Sequence, residues 1–146
     1  MARAIDVPLI DLADRVTAGV TATGTVQLNL VKRWLDDALR VETIGTIPTG
    51  RWVHVCVTYD GSRVAKGIQF YVDGQPVPLK ANLDLINQSF DVQEPLRIGS
   101  GQARLKGELD DIRIYRRTLS ADDVRVLAEP TSLADILKLP RAERSE

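Results

Sequence analysis

W-V-H-V-C-V-T-Y-D-G, residues 52–61, decides the fold. Valine, threonine and tyrosine crowd into it as they do into extended chain. Asp60-Gly61 then supplies turn chemistry. A second strand, I-Q-F-Y-V at 68–72, also ends in Asp-Gly, at Asp73-Gly74. Two strand-plus-turn units this close predict antiparallel sheet.

Outward from that pair, T-V-Q-L-N-L-V (25–31) alternates cleanly. Val26, Leu28 and Leu30 take one side and Gln27 and Asn29 the other, as a half-buried strand requires. L-R-V-E-T-I (39–44) repeats the pattern, with Leu39, Val41 and Thr43 together. Residues 32–38, with Trp34 embedded, read as a polar connection. Pro76 and Pro78 flank Val77 and suit an edge or a strand end. Residues 81–94 read as a long loop pinned by Leu83, Leu85, Ile86 and Phe90. Short strands are predicted at Leu96–Gly99 and at Leu109–Tyr115. Residues 1–20 read as irregular or edge structure. Ser120 and Asp123 form a capping box that starts a helix at about Ala121–Ala128, ended by Pro130. Ser132–Asp135 repeats the pattern and predicts a second helix to about Leu139. Many short strands, hairpin turns and a late helix make an all-β sandwich.

Composition narrows the function. A chain of 146 residues with 44% hydrophobic and 27% charged residues suits one domain with a real core. A formal net charge of −1 gives no global attraction to nucleic acid. Arg113, Arg116 and Arg117 cluster, but Asp110, Asp111, Asp122 and Asp123 offset them, as on a mixed-charge surface. No apolar run reaches the length of a membrane span, and residues 1–12 lack a signal-peptide profile. Cys56 is the sole cysteine, so no internal disulfide forms. His54 is the sole histidine, and without a second histidine or a cysteine pair it proposes no zinc site.

In order and spacing, W-V-H-V-C-V-T-Y-D-G, F-Y-V-D-G, L-R-I-G and G-E-L-D-D-I-R-I-Y-R-R-T-L-S resemble the laminin-G-like domain, a concanavalin A-like lectin/glucanase jelly roll. The resemblance implies an all-β, antiparallel jelly-roll sandwich of two sheets with one or two short C-terminal helices. It places that sandwich at residues 25–129, between a poorly assigned segment at 1–24 and a helical tail at 130–146 leading towards a following domain. Fewer strands precede Trp52 than the family carries, so the sheet is expected to have an unpaired edge open to association with another chain. The tail resembles the segment that follows this domain in large multidomain bacterial proteins that also carry cytochrome-c-type haem domains. An accessory module of a secreted, extracytoplasmic parent is the expectation.

Three side-chain sets bear on chemistry. Asp60-Gly61 and Asp73-Gly74 read as turn formers. Asp110 matches the aspartate that helps hold a structural calcium in related glucanases, so calcium is the one cofactor the resemblance offers. Trp34, in a polar connection, is the candidate contact for a sugar ring, whereas Trp52 and Tyr59 are expected in the core. Retaining hydrolysis needs two carboxyls about 5 Å apart. The chain has no E-x-D-x-x-E run, and Glu42, Glu94 and Glu108 lie in separate segments. The reading is a non-catalytic binding module for a glycan or a protein surface, with no nucleic acid partner. The alternative is a spacer that touches only other domains of its parent.

Overall fold

The computed structural model describes residues 7–12, 16–33, 36–87, 97–98 and 107–129. Nine strands lie among them: β1 (Val7–Leu12), β2 (Val16–Val20), β3 (Val26–Arg33), β4 (Asp37–Thr43), β5 (Val55–Tyr59), β6 (Ile68–Val72), β7 (Gln75–Val77), β8 (Leu79–Asp84) and β9 (Arg97–Ile98). One helix, α1 (Ala121–Ala128), follows. The strands form a six-stranded sheet, ordered β8-β4-β3-β2-β1-β9, and a three-stranded sheet, β5-β6-β7. Every pairing is antiparallel. The chain crosses from the small sheet to the large one at Pro78, between β7 and β8.

Period-two alternation builds the core. Leu28 pairs with Val41 and Leu30 with Leu39 across β3 and β4. With Val26 they turn to the small sheet and meet Ile68 and Phe70 of β6. Val55, Val57 and Tyr59 of β5 pack against the same cluster. Phe70 is wholly buried, and burying such a side chain stabilises the fold by roughly 1.5–3 kcal/mol.

The small sheet has a second covered face. Cys56 pairs with Tyr71, and both lie one residue out of phase with the core set, so they point away from it. Leu119 and Val124 bury Tyr71, with Cys56 and Leu127 alongside. Helix α1 is therefore the lid of that face. Its start follows the predicted capping box: the Ser120 hydroxyl accepts the Asp123 N–H, and the Asp123 carboxylate accepts the Ser120 N–H. Burial pushes the Cys56 thiol up, which favours its protonated form.

The β6–β7 hairpin turns on Asp73 (φ 49°) and Gly74 (φ 76°). Both values are positive, as a type I′ turn demands. Gly74 also lies against α1. A Cβ built there would meet Ala128 Cβ at 3.0 Å and Arg125 Cα at 3.2 Å.

Four expectations are corrected. Residues 1–20 contain a hairpin, β1–β2, that extends the large sheet. Asp6, Asp11 and Asp14 mask it by interrupting the hydrophobic pattern, and its pairing is irregular between Pro8 and Ile10, where proline has no N–H to give. Residues 81–94 begin as strand rather than loop. L-K-A-N-L-D alternates apolar with polar and pairs β8 with β4. Leu109–Tyr115 is not a strand. Asp111 adopts a left-handed φ of 51° and chelates Arg113 two residues on, which breaks extended backbone. Trp52 is not in the core, as described below. Trp34 and the second helix at 132–139 lie outside the described residues.

A candidate recognition surface

Two surfaces on opposite sheets offer polar groups on rigid backbone. The first is the face of the large sheet turned away from the core. β2, β3, β4 and β8 place Thr17, Gln27, Asn29, Arg40, Glu42, Lys80 and Asn82 there. Asn29 donates to Thr17 and to Gln27 and accepts from the Arg40 guanidinium at 2.8 Å. Glu42 is the centre of a second group. Its carboxylate accepts from the Thr25 hydroxyl at 2.5 Å and from the Asn82 amide at 3.0 Å, with Lys80 Nζ at 3.3 Å. Thr25 spends its one proton on Glu42, so Thr21 donates to Thr25 in turn, at 2.6 Å. The Glu42 side chain is only 12% exposed. The Thr25 hydroxyl, then Asn82 and Lys80, hold its carboxyl below the usual glutamate range against the opposing effect of burial. This surface is a closed hydrogen-bond ladder: its members satisfy one another.

The second surface lies at the base of β5. Trp52 stands 63% exposed in the loop that leads into the strand. Its neighbour Arg51 donates to the Trp52 carbonyl at 3.0 Å and to the Asp73 carboxylate at 2.7 Å. The other Asp73 oxygen accepts the His54 N–H at 3.0 Å. Arg51, with the His54 N–H, holds the Asp73 carboxyl below its ordinary value. A carboxylate in the β6–β7 turn thus fixes both ends of the R-W-V-H segment and leaves the indole outside. Trp52 precedes β5, so the alternation that turns Val55, Val57 and Tyr59 to the core does not extend to it.

Asp60 is a turn former, as expected. Its carboxylate accepts the Ser62 N–H at 2.8 Å, and Gly61 takes φ 80°. Asp110 is exposed and accepts the Asp111 N–H at 2.8 Å. Asp111 gives both oxygens to Arg113. Among the described residues no three His, Cys, Asp or Glu side chains gather as metal ligands. Calcium takes six to eight oxygens, so the described donors around Asp110 do not fit a carboxylate cage. No helix among the described residues is long and apolar enough to cross a membrane.

Residues 10–125 match the model of a laminin-G-type family described as the concanavalin A-like lectin/glucanases superfamily. The chain belongs to this superfamily. The chain is 30% identical over 102 residues to an adhesion G-protein coupled receptor V1 of Danio rerio. That match takes in 64% of the chain and 2% of the receptor. Among solved structures, an S-layer domain-containing protein from Clostridium thermocellum aligns with 84% of the chain and 63% of its own length, at 20% identity and a TM-score of 0.39. The superfamily includes both lectins and glucanases, so its name leaves the chemistry to be argued from the residues.

Proposed function

We infer that this chain is a non-catalytic recognition module that binds carbohydrate or a protein surface. The observation that carries this reading is the state of Glu42. A glycosidase acid must hold a proton near neutral pH, which requires a raised pKa and a second carboxyl across the bond. Among the described side chains, Glu42 is a carboxylate on the outer face of the large sheet, and its surroundings push it the other way. Thr25, Asn82 and Lys80 keep it ionised and occupy its oxygens. Such a group organises a surface and donates no proton. The relative named as an adhesion receptor supports recognition as the role. The sequence offers Trp34 as one contact, on the strength of its polar setting.

Incubation of the purified chain with a broad set of polysaccharides tests the catalytic half of this reading. No reducing ends should accumulate, and any turnover abolished by Glu42→Gln would sink it. Binding to immobilised glycans and to extracellular-matrix proteins tests the other half. Saturable binding is the expected result. Absence of binding to both panels would favour a spacer that braces neighbouring domains.

A further inference from the structure

We propose that Trp52, Arg51 and Asp73 form a binding site for a neutral pyranose sugar. This rests on the recognition reading above and gives it a place and a ligand class.

A pyranose ring has an apolar face of C–H groups and a rim of hydroxyls, each both donor and acceptor. The site offers a counterpart to each. The C–H face fits the indole, whose electron-rich face attracts the positive edges of C–H bonds, and Trp52 presents 63% of its surface. Vicinal hydroxyls fit the ion pair beside it. The Arg51 guanidinium carries five N–H donors, and the described bonds engage two of them. The Asp73 carboxylate has about four lone-pair positions, and the described bonds engage two of those. One hydroxyl accepts from Arg51 while the next donates to Asp73. The Arg51 and Asp73 side chains are 52% and 41% exposed, so both are reachable.

Two features distinguish this cluster from a stray surface tryptophan. It is pre-organised, because Asp73 is fixed by the turn and ties down Arg51 and the His54 backbone, so little ordering is left to binding. It is also electrically balanced. Arg51 cancels Asp73, and Arg125, beside the Gly74 turn, is itself paired with Asp122. A patch without net charge favours a neutral hexose over a uronate or a sulfated sugar. The large-sheet ladder lacks an exposed ring among its described members, and its polar groups are already engaged with one another.

The test uses the full wild-type chain, with calorimetry as the readout. Neutral gluco-, galacto- and manno-oligosaccharides are titrated, with oligouronates as the charge control. The expected result is saturable binding heat with a neutral sugar and weak response to uronates. Trp52→Ala and Arg51→Ala, each made in the wild-type chain and followed by calorimetry, should weaken that binding by about tenfold or more. Wild-type binding that survives both substitutions overturns the site and leaves the recognition reading intact. Loss of binding in Trp34→Phe alone moves the site to Trp34 and also overturns it. Preference for uronates overturns the ligand class. Absence of sugar binding, with binding to a protein panel, overturns the proposal and redirects the module to protein partners.

Discussion

The two sheets solve one problem in opposite ways. Each has an inner face in the shared core and an outer face that needs cover. The small sheet puts Tyr71 and Cys56 outward and buries them under α1 through Leu119 and Val124. The large sheet puts Gln27, Asn29, Arg40 and Glu42 outward, and no helix among the described residues covers them. Its side chains bond laterally instead, strand to strand. Apolar outward residues require a lid. Polar ones hold one another in place through hydrogen bonds across the strands. The comparison shows that the outward parity of each sheet, more than the core, sets where this molecule can meet a partner.

Substitutions under the lid should separate the two faces most strongly. Tyr71→Ala removes an aromatic side chain between sheet and helix and is expected to cost about 3–5 kcal/mol. Chemical denaturation reads this, and a loss below about 1 kcal/mol would mean that α1 contributes little to the fold. Glu42→Gln tests the ladder. The amide keeps the shape but turns an N–H towards Asn82 or Lys80, and a loss of about 1–2 kcal/mol follows at neutral pH. The sign with pH is fixed. Because the folded-state pKa of Glu42 is depressed below 4.5, its stabilisation is present above that value and fades as pH falls through the folded pKa. The wild-type and Glu42→Gln melting curves should therefore converge in acid; convergence at alkaline pH instead would contradict the ladder.

A smaller effect is expected at the foot of the lid. Ser120→Ala removes one half of the capping box and should destabilise by about 1 kcal/mol, visible as a lower denaturation midpoint with unchanged slope. Smallest of all is calcium. A ligand that binds only the folded state raises stability by mass action. A rise in melting temperature with calcium over chelator, lost in Asp110→Asn, would support a structural ion at that aspartate, and a shift below about 1 °C would remove it.

Much of this architecture was legible in the sequence, for identifiable reasons. Val26, Leu28 and Leu30 alternate without interruption, and β3 lies where they place it. Ser120 and Asp123 announce α1 because a capping box is a local device. What was missed depends on context or on attention to phase. L-K-A-N-L-D alternates as cleanly as β3, but its polar half disguised an edge strand as a loop. β1 and β2 are held by their neighbours rather than by local propensity. Ile112 and Ile114 suggest a strand that the left-handed Asp111 interrupts. Trp52 lies ahead of β5, so the burial of that strand's core-facing residues does not extend to it.

The contact at Gly74 ties these regions together. Its α-carbon is near enough to Arg125 and Ala128 that the helix end rests directly on the hairpin tip, and Asp73, one residue earlier, anchors Arg51 and the backbone beside Trp52. Even one added methyl at position 74 would act as a wedge. It would lever the end of α1 outward, strain a backbone that only glycine adopts with ease, and disturb the alignment of the tryptophan platform. The end of α1 and the exposed indole are thus linked through a single backbone position at the hairpin tip.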